Sequence, residues 1–128
     1  MPFERDFPAV ASSLASIRAA VAEFAEQAAG SQRKTASVVQ AVHEAAANAV
    51  IHGYGGGDRE QVVGVAGTNE DGWLRFVVSD TGSGFRPSRT SPGYGLGLAI
   101  IAQLADELEI RDGSGGGLTV LIAFRLAG

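Results

Sequence analysis

The apolar residues of this chain recur in two rhythms. Leu14, Ile17, Val21, Phe24 and Ala28 step by three and four, while Arg18, Glu23 and Glu26 fall elsewhere. That spacing predicts an amphipathic helix, capped by Ser12 or Ser13 and ended at Gly30, as glycine often ends one. A second helix is expected over 35–52, with Val38, Val42, Ala45 and Ala49 as its apolar stripe and Gly53 as its stop. The runs 61–68 and 73–79 read as strands joined by the turn-rich Asn69-Glu70-Asp71-Gly72. A short strand over 3–9 is stopped at Pro8, loops fill 80–95, and a third helix covers about 96–105. The end reads as a hairpin, 107–111 and 118–126 around a flexible 112–117. In its last strand Leu118, Val120, Ile122, Phe124 and Leu126 alternate with Thr119, Leu121, Ala123 and Arg125. Hairpin-paired strands with helices collected elsewhere predict an α+β two-layer α/β sandwich, a mixed but mostly antiparallel sheet with helices on one face. A doubly wound parallel sheet would need strict alternation of strand and helix. With no internal repeat and no linker, residues 1–128 are expected to form a single domain.

Composition narrows the function classes. At 128 residues, 45% hydrophobic and 19% charged, the chain can bury a real core. A net charge of −4 gives no electrostatic support to nucleic-acid binding. It leaves room for an anionic ligand held by backbone amides. The absence of cysteine excludes disulfides and zinc–thiolate sites. No apolar stretch approaches a membrane span, and the start, MPFERDFPAV, lacks the apolar core of a signal peptide. The expected location is cytoplasmic. The 18 glycines gather at 53–57, 82–84, 93–97 and 113–117, which marks loops with special backbone needs.

Three groups of residues carry candidate chemistry. Glu44, Asn48 and His52 are spaced by four on the second helix, hence on one face. Asparagine is a poor interior helix residue, its amide oxygen suits Mg²⁺, and a carboxylate one turn away can accept a proton. The small neighbours Ala41, Ala45 and Ala47 leave room for a ligand; a solvated polar face on an alanine-rich helix is the alternative. His43-Glu44 is no zinc-protease motif, because position 47 is alanine. The second group, Asp80-Thr81-Gly82-Ser83-Gly84, follows the apolar Phe76-Val77-Val78. Its carboxylate can accept from an exocyclic amine such as that of adenine, and the glycines let backbone approach a flat ring. An Asx-turn leaving a strand would look the same. The third, Gly93-Tyr94-Gly95-Leu96-Gly97-Leu98, opens a helix whose free amides attract phosphate. It has neither the Walker ending nor the strand of a dinucleotide fingerprint, and a flexible hinge is its alternative.

The order of the three is more specific than any one. Glu-x-x-x-Asn on a helix, Asp-x-Gly-x-Gly after a strand and Gly-x-Gly-x-Gly opening a helix resemble the ATPase superfamily of DNA gyrase, the ninety-kilodalton heat-shock chaperone, sensor histidine kinases and MutL. The resemblance covers about 35–125 and is strongest to the small anti-sigma-factor serine/threonine kinases, through Glu44-Ala45-Ala46-Ala47-Asn48-Ala49-Val50-Ile51-His52-Gly53-Tyr54. It implies the Bergerat-type ATP-binding fold, with ATP and Mg²⁺ as cofactors. Asn48 would bind the magnesium, Glu44 would be the general base, and Asp80 would hold the adenine amine with Gly82 and Gly84 beside it. Gly93, Gly95, Leu96 and Gly97 would line the phosphates, and Thr119 would lie near the adenine. The implied partners are a sigma factor, held inactive by a homodimer, and an antagonist protein phosphorylated on serine or threonine. The lid between the second and third groups, 85–92, is shorter than the family's, and Arg86 and Arg89 are its candidate phosphate contacts. A nucleotide-responsive binding module without phosphoryl transfer, or the catalytic domain of a split histidine kinase, would carry the same motifs.

Overall fold

The computed structural model describes residues 2–29, 31–53, 58–80, 94–112 and 117–126. In chain order they form β1 (Phe3–Ala9), α1 (Ser13–Ala29), α2 (Gln32–Asn48), a π-helical turn (Ala49–Gly53), β2 (Asp58–Glu70), β3 (Trp73–Asp80), α3 (Tyr94–Leu104), β4 (Glu107–Asp112) and β5 (Leu118–Arg125). The strands make one five-stranded sheet in the order β1-β2-β3-β5-β4. Its ladders are antiparallel throughout the described residues, so the mostly antiparallel expectation is met with no parallel member.

Local chemistry explains the turns and edges. Glu70 pairs with Trp73, leaving Asp71 and Gly72 as a two-residue turn with φ of 55° and 80°. Positive φ at both positions is the type I′ geometry, whose twist matches that of the strands it joins. β1 runs through Pro8 to Ala9 instead of stopping at the proline. The strand lies at the sheet edge, where a missing N–H breaks no inner ladder, and the register shifts between Pro8 and Ala9. α2 starts earlier than its apolar stripe, at Gln32, because the Ser31 side chain accepts from the Lys34 N–H at 3.1 Å and so satisfies one orphan donor.

Cross-strand partners share a face, so the register separates the two sides of the sheet. Val65, Val78, Val120 and Ile110 form one row, and Gly67, Phe76, Ile122 and Leu108 the next. Their buried members join Ile17, Val21 and Ala25 of α1, Val38 and Val42 of α2 and Ile101 of α3 in one core. Ala66, Val77, Leu121 and Glu109 point to the other face. The helices therefore cover a single face, as the α+β sandwich requires. Phe76, Phe124, Ile17 and Leu74 are among the largest fully buried side chains, each worth about 1.5–3 kcal/mol relative to exposure.

Candidate functional site

α2 carries two polar side chains one turn apart in its C-terminal half. Glu44 is half-buried, and its Oε2 accepts from Gln40 Nε2 at 2.7 Å. Asn48, the last residue of α2, is 9% exposed. Directly after it the winding loosens. The Ala49 N–H is shared between the Ala45 and Ala46 carbonyls, and Ala49–Gly53 is π-helical. Such turns are rare and frequent at functional sites. His52 falls in this turn, outside the regular spacing of four, and its side chain lies outside the described residues.

The Asn48 Nδ2 is buried with no hydrogen-bond partner among the described residues. A buried amide left so costs about 1–3 kcal/mol, which calls for an explanation such as a ligand. The opposite wall is Gly97 of α3. A Cβ built on Gly97 would lie 2.8 Å from Asn48 Nδ2 and 3.0 Å from Oδ1. The room expected beside Ala41 and Ala45 is not there: both are core residues, 0% and 1% exposed. Their small size admits neighbouring protein, and α2 is flanked by α1, α3 and the sheet.

Asp80 closes β3, half-buried, and its Oδ1 accepts from the Leu118 N–H at 3.4 Å, tying the end of β3 to the start of β5. It stands opposite Val63 on the helix-bearing face. Thr119 is placed differently from the expectation. It pairs with Ser79 and Arg111, on the outer face, so the period of two in β5 separates it from Asp80 and brings Leu118 to that side instead. Gly95, Leu96 and Gly97 belong to the start of α3, which begins at Tyr94, two residues before the expected start. A helix start carries amides without intrahelical partners. Gly82, Gly84, Gly93, Arg86 and Arg89 lie outside the described residues. Sequence reasoning missed Gln40, whose signal was its place one turn before Glu44. It also missed that Gly97 faces Asn48.

Among the described residues no group of three or more His, Asp or Glu is arranged to hold a metal. A cation beside Asn48 would take most of its ligands from elsewhere, as magnesium does from phosphate and water. No described helix is long and apolar enough to cross a membrane.

Comparison with known proteins agrees with this geometry. The histidine kinase-like ATPase domain family matches residues 7–124. The anti-sigma F factor of Pasteuria penetrans is 30% identical over 91% of this chain and 85% of its own length. That of Bacillus thuringiensis (strain Al Hakam) is 26% identical over 89% and 85%. Among solved structures, the RsbU and RsbW domains of Rv1364c from Mycobacterium tuberculosis superpose with a TM-score of 0.77 at 28% identity, over 98% of this chain. The chain spans about a third (32%) of the length of that solved chain. The SiaB–SiaC complex from Pseudomonas aeruginosa gives a TM-score of 0.72 at 17% identity, over 95% of this chain and 88% of that one, a likeness of fold. With the family matched across nearly the whole sheet and all three helices, the chain belongs to the histidine kinase-like ATPase domain family, on its anti-sigma-factor branch.

Proposed function

We propose that the chain binds ATP with magnesium and transfers the terminal phosphoryl group to a serine or threonine of an antagonist protein, and that it sequesters a sigma factor as a homodimer. The observation that carries this reading is the buried Asn48 amide facing the first turns of α3: its unpartnered Nδ2 is a donor that calls for an acceptor such as a phosphate oxygen, while its Oδ1 is the atom that would meet a metal. An amide oxygen is a hard, neutral ligand, so Asn48 fits magnesium and would hold it. The bound magnesium nucleotide supplies the phosphoryl group and neutralises the charge that develops as it leaves. The α3 amides at Gly95 and Leu96 would orient phosphate oxygens. Asp80 would accept from the adenine amine while keeping its bond from Leu118.

Glu44 would accept the proton of the attacking hydroxyl. The new bond joins the hydroxyl oxygen to the terminal phosphorus as the bond to the ADP oxygen breaks. The Gln40 bond occupies one acceptor site of the carboxylate and leaves others for that proton. The sigma-factor partner is suggested by the anti-sigma F relatives; the antagonist, the homodimer and the cytoplasmic location are carried by the resemblance of the motifs alone, and the single-domain reading by the one sheet that the described strands build. The test is label transfer from ATP to a purified antagonist protein. Transfer that Glu44→Ala abolishes supports the reading. Tight magnesium–ATP binding with no transfer to any antagonist would leave a nucleotide-responsive binding module instead.

A further inference from the structure

We infer that Gly97 is a positioning residue for Asn48: the bare backbone of α3 at this point is the wall that fixes the Asn48 side chain. The inference rests on the proposed role of Asn48 as the magnesium ligand and gives Gly97 a task other than lying against phosphate. The nearest atoms to a Cβ at position 97 are all in the Asn48 amide: Nδ2 at 2.8 Å, Oδ1 at 3.0 Å and Cγ at 3.3 Å. Swapping oxygen and nitrogen leaves the contact in place, so it does not depend on how the amide is oriented. Asn48 cannot swing away to solvent, being 9% exposed. Gly97 itself is buried.

Helix chemistry points the same way. Gly97 is the fourth residue of α3, inside the helix. Glycine is a poor residue there and alanine the best, on backbone entropy alone. A glycine at such a place needs a packing reason, and the close approach of the Asn48 amide is that reason. Because Gly97 sits near the start of α3, a shift of that start moves the wall and with it the amide.

The first test uses ligand-free protein. Wild type, Gly97→Ala, Asn48→Ala and the double variant are unfolded in denaturant and followed by the fluorescence of Trp73, the one tryptophan of the chain. Gly97→Ala is expected to lower the midpoint in the wild-type background. In the Asn48→Ala background, where the clash is gone and only helix preference remains, the same change raises it. If Gly97→Ala fails to fold, recovery of folding in the double variant supports the inference. Equal effects in the two backgrounds, or failure of both variants to fold, overturn it.

The second test titrates ADP with and without magnesium into the same proteins. Gly97→Ala is expected to lose magnesium-enhanced binding by about tenfold or more, the usual cost of disturbing a ligand's support, as Asn48→Ala does. Its magnesium-free affinity stays within about twofold of wild type, and the double variant is no worse than Asn48→Ala alone. Equal losses with and without magnesium would make Gly97 a direct phosphate contact and overturn the inference. A wild type that shows no magnesium enhancement sinks the magnesium role of Asn48, while the unfolding cycle still decides whether Gly97 positions it.

Discussion

Among the described glycines, Gly67 and Gly97 leave the least room for a Cβ, and their neighbours differ in kind. At Gly67 on β2 a Cβ would meet Phe76 Cε1 at 2.8 Å and Phe24 Cε2 at 3.1 Å. Phe24 stacks on Phe3 at 5.6 Å and meets Phe76 edge-on at 5.9 Å, so the missing side chain makes way for two rings of a three-ring cluster. At Gly97 the same 2.8 Å separates the Cβ position from an amide nitrogen that no described residue satisfies. The sterics are equal; the chemistry is opposite. A closed glycine over aromatic rings is complete in the folded chain. One over an orphaned buried amide is complete only when something else arrives. The chemistry of the neighbour, more than the glycine, separates the packing site from the proposed binding site.

The largest expected effect lies at the polar end and leaves the fold untouched. Glu44→Gln should lower the rate of label transfer by about 10²–10⁴-fold, the usual worth of a general base. Magnesium–ADP affinity should stay near wild type. Transfer that survives the substitution would remove Glu44 as base. Next comes Gly67→Ala, at the aromatic end. Phe76 is fully buried and has no free direction in which to yield, so overpacking should cost about 1–3 kcal/mol in chemical unfolding, with nucleotide affinity unchanged. A Gly67→Ala variant as stable as wild type would show that the rings have slack. Asn48→Ala should behave in reverse. Deleting an amide that costs about 1–3 kcal/mol when unsatisfied offsets the small void left behind. The ligand-free stability should then be unchanged or higher while magnesium-enhanced ADP binding is lost. A marked loss of stability would mean that the amide has a structural partner.

This contrast also shows what was legible in the sequence. The two-layer fold was, because the period of two in 61–79 and 118–126 and the 3.6 period of the helices are direct images of which side is buried. Asp71-Gly72 marked its own turn. The helix termini were read less well: Ser31 is a capping side chain that acts beyond the apolar stripe, and a π turn has no hydropathy signature. Within the site, Glu44 and Asn48 were visible through their spacing and through the oddity of asparagine inside a helix. The meaning of Ala41, Ala45 and Gly97 was not, since small residues mark close approach without naming what approaches. Thr119 was misplaced by one position, enough to turn it to the outer face, where it pairs with Ser79 and Arg111.

The smallest effect should come from Gln40, and it sharpens the comparison of devices. Gly97 orients a buried side chain by leaving it nowhere else to go. Gln40, itself exposed, orients Glu44 by one hydrogen bond of 2.7 Å along the surface of α2. Pairs of this kind at i,i+4 are worth about 0.2–0.5 kcal/mol, because water competes for both partners. Converted to rate, that is about twofold or less. Gln40→Ala should therefore slow label transfer by no more than about twofold and leave nucleotide affinity and stability near wild type. The measurement is a single-turnover rate beside that of Glu44→Gln. A loss approaching the Glu44→Gln value would mean that the carboxylate depends on Gln40 for its working position, and that the surface of α2 there is covered when transfer takes place.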